Sequence, residues 1–218
     1  MPLLELNNGL NPLPMSPITL PIPILVLQHP QEPSRKDHAV SSVGLLEQNL
    51  HPCAVKVGLS WRNLGAALKG FEALDGHEEF QKAGNWGTLY LGTQKQGEAR
   101  IGTDPGLYFM DKKEDPICGL ILLDGTWAQA KTLWWRNAWL LKTRRMHLIP
   151  KQKSLYGNVR KEPRPECVST LEAAAETLSF LGIDPSVETV LKEKFSVALK
   201  EYKSGVVKAP RVKISNAH

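Results

Sequence analysis

Asp124 is the residue best placed for chemistry in this chain. It follows an apolar run, Ile117 to Leu123, broken only by Gly119, and it is followed directly by Gly125, Thr126 and Trp127. Such a run predicts a buried strand, and Thr126 with Gln129 forms a capping box that opens a helix. In open α/β sheets ligands bind at the carboxyl ends of strands, where helix N-termini point their free N–H groups. An acid at that point is well positioned for chemistry. The capping box accounts for Thr126 but requires neither Asp124 nor Gly125.

The charge around this motif points to a polyanion. Between Lys131 and Arg164 stand ten basic residues, among them Arg136, Arg144, Arg145, Lys151, Lys153 and Arg160, against the single acid Glu162. The segment is therefore strongly cationic, whereas the whole chain is only +5. A charge run of this kind is most often a solvated face. Beside a candidate site it predicts a polyanionic substrate, with nucleic acid the default and Arg144 and Arg145 as phosphate contacts.

Three further groups could contribute. His29 and Glu32 lie three residues apart after an apolar run, Ile22 to Leu27, that predicts another buried strand. Ser154, Tyr156 and Arg160 sit in a polar, basic stretch from Lys151 to Cys167, and hydroxyls with an arginine make ordinary phosphate or ribose contacts. Four of the six tryptophans, Trp127, Trp134, Trp135 and Trp139, fall within one predicted helix, Trp127 to Leu141. Most of these belong in a core; Trp127, in the first turn beside Asp124, can wall a pocket or stack on a base.

The elements that must position these residues alternate between strand and helix, which predicts an α/β fold with a mostly parallel sheet and flanking helices. Strands are predicted at Ile22–Leu27, Ala54–Leu59, Gly87–Gly92, Ile117–Leu123 and Arg145–Ile149. Helices are predicted at residues 39–50, Trp127–Leu141, Ser169–Leu181 and from Asp184 to about Lys203. Ser169 with Glu172 forms a second capping box, and Asp184-Pro185 supplies an N-cap and a first-turn proline. Gln94 to Asp115 reads as a polar surface excursion. The 218 residues suit one domain over 21–203, with a flexible lead-in at 1–20 and a basic flexible tail at 204–218.

No apolar run approaches the roughly 20 residues of a membrane span, and the first residues form neither a signal nor a transit peptide. Cys53, Cys118 and Cys167 are far apart, so neither a metal site nor a disulfide framework is expected. A monomer in the cytoplasm is the simplest expectation. No GxGxxG follows a strand, and neither HExxH nor GxSxG is present.

Taken together, Gln28-His29-Pro30-Gln31-Glu32, Asp124-Gly125-Thr126-Trp127, Ser154-Leu155-Tyr156 with Arg160, and Ser169-Thr170-Leu171-Glu172-Ala173 resemble the DTW-domain family over roughly residues 22 to 182. The resemblance implies a tRNA-uridine aminocarboxypropyltransferase with a fold similar to the SPOUT enzymes, including a C-terminal trefoil knot that holds S-adenosylmethionine. It implies transfer of the 3-amino-3-carboxypropyl group to a uridine ring nitrogen, releasing methylthioadenosine.

By the same resemblance Asp124 is the acid of the family signature and the catalytic residue, as the base that takes the uridine proton or as the group that orients the uracil. Leu123, Gly125, Thr126, Trp127, Leu148, Ile149, Val168, Ser169, Thr170 and Ala173 line the donor pocket, while His29, Glu32, Ser154, Tyr156 and Arg160 face tRNA. The chain departs from the family in lacking an N-terminal cysteine cluster of zinc-ribbon type and in carrying Ser42-Val43-Gly44-Leu45 where the family has Thr-x-x-Leu. On the residues alone, a SPOUT-type RNA methyltransferase and a non-catalytic RNA-binding protein stay open.

Overall fold

The computed structural model describes residues 16–33, 41–74, 77–89, 104–111, 113, 115–159 and 167–205. The expected lead-in and tail, and Arg160, therefore fall wholly or mostly outside the described residues. Among the described residues six strands form one sheet: β1 (Ile18–Gln28), β2 (Leu50–Val57), β3 (Trp86–Leu89), β4 (Gly106–Phe109), β5 (Gly119–Asp124) and β6 (Arg144–Ile149). Their order is β2-β1-β5-β3-β6-β4. All neighbours are parallel except β4, which runs antiparallel to β6. This is the mostly parallel α/β sheet that the alternation of elements predicts.

Five α-helices among the described residues cover the sheet: α1 (Ser42–Asn49), α2 (Leu64–Leu68), α3 (Trp127–Arg136), α4 (Thr170–Phe180) and α5 (Pro185–Lys203). Alternate residues of β1 and β5 feed two cores. Ile24, Val26, Leu120 and Leu122 pack with α1, α4 and α5 on one face. Leu25, Leu27 and Ile121 pack with α2, Trp134, Trp139 and Leu140 on the other. Burial of both faces is why these strands read as unbroken apolar runs rather than alternating ones. Gly119 interrupts the run because the fully buried Trp86 ring lies over it: a Cβ there would sit 2.6 Å from the indole.

Some boundaries differ from the sequence reading for identifiable reasons. β1 begins at Ile18, and its register with β2 shifts between Thr19 and Ile24, the stretch that holds Pro21 and Pro23. Neither proline can donate to the ladder. The tryptophan-rich helix ends at Arg136 instead of Leu141, and a short 3-10 turn follows. There the buried Asn137 side chain accepts from Trp61 N (2.7 Å) and donates to Leu59 O (3.1 Å) and Leu133 O (2.8 Å), which turns the chain inward. β4 lies within the segment read as a surface excursion.

Candidate active site

β5 is a central strand, and Asp124 is its last residue. Its neighbour across the ladder is Gln28, the last residue of β1 and in register with it. Registered residues on parallel strands point to the same face. The Gln28 amide accordingly donates to Asp124 Oδ2 at 2.9 Å. The other oxygen, Oδ1, accepts from the Thr170 hydroxyl at 2.6 Å. Asp124 is 5% exposed and held at both oxygens, so its orientation is fixed while lone pairs on each oxygen remain for a further donor.

Two helices start at this carboxylate. Thr126 caps α3 and Ser169 caps α4, each in a complete capping box, as the sequence predicts. The amino-terminal ends of both helices therefore lie beside one acid, where a helix dipole favours negative charge. Gly125 makes the strand-to-helix turn possible. Its φ is +156°, and a Cβ there would meet the Gln129 Cβ at 2.8 Å. His29 joins through the backbone, its N–H donating to Asp124 O at 3.0 Å. The His29 ring nitrogen Nδ1 accepts from Gln31 N (3.3 Å), and Gln129 donates to Gln31 Oε1 (3.1 Å), so the loop after β1 is tied to the first turn of α3.

A buried carboxylate organises the facing loop. Glu172, 2% exposed, accepts from the Ser154 hydroxyl (2.8 Å), Leu155 N (2.8 Å) and Ser169 N (3.0 Å). One turn on, Glu176 accepts from Lys151 N (2.9 Å) and Lys192 Nζ (2.7 Å). The stretch from Lys151 to Leu155, which follows β6, is thereby stapled against the start of α4. Among the residues assigned to a donor pocket, Leu123, Ile149, Val168 and Ala173 are half-buried. Leu148 packs at the edge of the core at the carboxyl end of β6.

Three residues expected to meet RNA are placed differently. Arg144 opens β6, at the sheet edge opposite Asp124, and is 4% exposed. Its guanidinium pairs with Asp111 at 3.1 Å, donates to the carbonyls of Lys113 and Asp115, and lies 4.4 Å from the centre of the Phe109 ring. The expectation of a phosphate contact fails for Arg144, because its hydrogen-bonding capacity is spent inside the fold. Tyr156 is 3% exposed, its ring edge-on to Phe195 at 5.0 Å, and acts as a core residue. Glu32 is buried as well.

Arg145 and Ser154 are half-buried. Gln28 and Glu172 were missed as site residues. A polar residue ending an apolar strand is the sequence signal for Gln28; for Glu172 the sequence signals only a helix cap.

No group of three or more potential metal ligands occurs among the described residues. No described helix is long and apolar enough to cross a membrane. The three cysteines are free thiols. Burial, with the Glu47 carboxylate adding to it, pushes the Cys53 thiol up to about 12, so it stays protonated and unreactive.

The family model for the DTW domain matches residues 12–203. The chain belongs to the DTW-domain family. This DTW domain is 30% identical over 187 residues to the mouse protein named tRNA-uridine aminocarboxypropyltransferase 2, a match spanning 82% of this chain and 54% of the relative. It is 30% identical over 182 residues to the Drosophila melanogaster protein of the same name, covering 82% of this chain and 64% of that one. The Macaca fascicularis protein of that name is 27% identical over 183 residues, covering 82% of this chain and 54% of its own length. The chain thus spans between about half and two thirds of the length of these relatives. No solved structure matches it. The Asp-Gly-Thr-Trp motif of this DTW domain is the turn from β5 into α3.

Proposed function

We propose that this DTW domain transfers the 3-amino-3-carboxypropyl group of S-adenosylmethionine to a ring nitrogen of a uridine in tRNA, releasing methylthioadenosine. One observation carries the reading beyond the relatives' names. The motif aspartate is buried, held at both oxygens, and set where two capped helices begin. A fixed carboxylate suits a donor that bears a sulfonium and an ammonium, and half-buried Leu123, Ile149 and Val168 suit its adenosyl part. The donor supplies an electrophilic carbon attached to an excellent leaving group. As the uridine nitrogen loses its proton, the N–C bond forms, the S–C bond breaks, and its electron pair returns to sulfur. The work left to the chain is to position the reactants and guide one proton.

Asp124 serves that step by accepting the uracil N–H while Gln28 and Thr170 hold it in line. Trp127, on the first turn of α3, and the Val168–Ala173 segment form the positioning walls. His29 and Ser154 face the RNA. The order of the sheet supports a SPOUT-like fold. β5 is inserted between β1 and β3, β6 lies beyond β3, and the chain then returns to place α4 against the end of β5. Such a path suits a knotted return around the donor pocket. A reducing compartment such as the cytoplasm suits the three free thiols.

Incubation with bulk tRNA and S-adenosylmethionine, followed by chromatography of the spent donor, tests the proposal. Methylthioadenosine with an aminocarboxypropylated uridine is expected. S-adenosylhomocysteine with a methylated nucleoside would overturn it in favour of a methyltransferase.

A further inference from the structure

Trp135 on α3 is 73% exposed, in a protein whose other helical tryptophans are largely withdrawn from solvent. An indole left in water forgoes a large apolar burial, and an exposed one commonly marks a recognition surface. Trp135 also has company. Trp127, Lys131 and Trp135 are spaced four apart, so they run as one stripe along the helix. The Lys131 ammonium lies 5.4 Å from the centre of the Trp127 ring. The stripe rises about 12 Å, close to three or four stacked nucleotides at ~3.4 Å each.

The direction of the stripe follows from what ties down α3. Its first residue leaves β5 beside Asp124. Its last turn is anchored to the loop after β2, where the Ser60 hydroxyl donates to Arg136 O at 3.0 Å and Asn137 binds Leu59 and Trp61. In the sheet β1 lies between β5 and β2. The helix therefore runs from the site toward the loop after β2, and the stripe begins beside Asp124 and leads away from it. Exposed Arg136 and Arg62 stand at its far end, and Arg62 borders a cleft of about 440 Å³ beside α2. No acid occurs in the sequence from Gly125 to Lys161. Aromatic faces alternating with cations, on a segment without acids, complement a single-stranded polyanion whose bases stack.

We propose that Trp127, Lys131 and Trp135 form a docking track for unpaired nucleotides of the RNA beside the target uridine, with Arg136 and Arg62 holding phosphates at its far end. The inference rests on the reading of the substrate as RNA.

The probes are fluorescein-labelled decauridylate and bulk tRNA. Trp135→Ala weakens decauridylate binding, followed by anisotropy, about tenfold, as the loss of one base–aromatic stack would. Trp135→Phe restores most of it. Lys131→Gln lowers the slope of log affinity against log salt by about 0.7, one phosphate contact on a single strand. With tRNA, the Trp135→Ala defect falls on KM for tRNA in a methylthioadenosine-release assay. Undiminished affinity for decauridylate in the Ala and Gln variants overturns the track, as does failure of the wild-type protein to bind it. A dimer, detected by light scattering, that Trp135→Ala dissolves while RNA affinity holds also overturns it and makes the patch an interface between copies. If the wild-type protein binds decauridylate but releases no methylthioadenosine with tRNA, the transferase reading fails and the anisotropy series alone decides the track.

Discussion

The Thr170 hydroxyl donates to Asp124 Oδ1 at 2.6 Å, joining the first residue of α4 to the last residue of β5 across 46 positions of sequence. This bond makes the aspartate a positioned group instead of a freely rotating one. Asp124→Asn keeps the shape, and the threonine hydroxyl can accept from the new amide, so folding survives. Transfer to tRNA falls by at least a hundredfold while thermal stability changes little. Thr170→Val removes the donor and leaves the acid. Its activity falls about tenfold, and it loses about 1.5–3 kcal/mol of stability, as for other hydrogen bonds to charged groups. Methylthioadenosine release and urea unfolding measure the two effects. Near wild-type activity in Asp124→Asn would remove the aspartate from the mechanism.

Glu172 is both a helix cap and the anchor of the loop after β6. Replacing its carboxylate with an amide turns one of its two acceptors into a donor, facing either Leu155 N or the Ser154 hydroxyl and Ser169 N. Glu172→Gln therefore costs about 1–3 kcal/mol and speeds limited proteolysis within residues 150–160 under native conditions. Proteolysis unchanged from wild type would show that the loop is held by other contacts.

The site was legible where local chemistry is self-contained. Both capping boxes, at Thr126–Gln129 and Ser169–Glu172, and the Asp184-Pro185 start of α5 are written in adjacent residues and recur in the structure. β5 was legible because burial on both faces leaves an apolar run. What escaped depends on distant partners. The inward turn of Arg144 is set by Asp111 and the carbonyls of Lys113 and Asp115, about thirty residues earlier. The burial of Tyr156 is set by Phe195. β4 is a four-residue edge strand of half-buried residues, too short to show a period. Gln28 acquires its role only because β1 and β5, almost a hundred residues apart, pair in register.

The ion network behind the loop makes stability depend on acid. Burial acts to raise the Glu188 carboxyl, but hydrogen bonds from Lys151, Lys192 and Ser179 outweigh it and hold the group at about 2, below its ordinary 4.5. A carboxylate depressed in the folded state stabilises above the unfolded value, and that contribution fades as pH falls through the folded one. Glu188→Gln should therefore be less stable than wild type at pH 6, and the gap should close between about pH 4.5 and about 2. Denaturant unfolding across that range measures it. A constant gap would mean that the charge of Glu188 is not what the network uses.

Arg144 and Arg145 are adjacent in sequence and differ in burial. Arg144 is buried at the amino end of β6, far along the strand from Asp124, with its guanidinium committed to Asp111 and two loop carbonyls. Arg145 is half-buried and belongs to the cationic segment. Arg144→Gln leaves Asp111 and both carbonyls short of donors and should cost about 1–3 kcal/mol. The folded protein should keep its tRNA affinity and its salt dependence. Arg145→Gln should weaken tRNA binding and flatten its salt slope by about 0.9, one duplex phosphate contact; an unchanged slope would remove Arg145 from the RNA surface. Filter binding of each variant over a salt series, beside urea unfolding, separates the two. A loss of tRNA affinity in folded Arg144→Gln would show that the loop it organises, rather than the arginine itself, takes part in RNA binding.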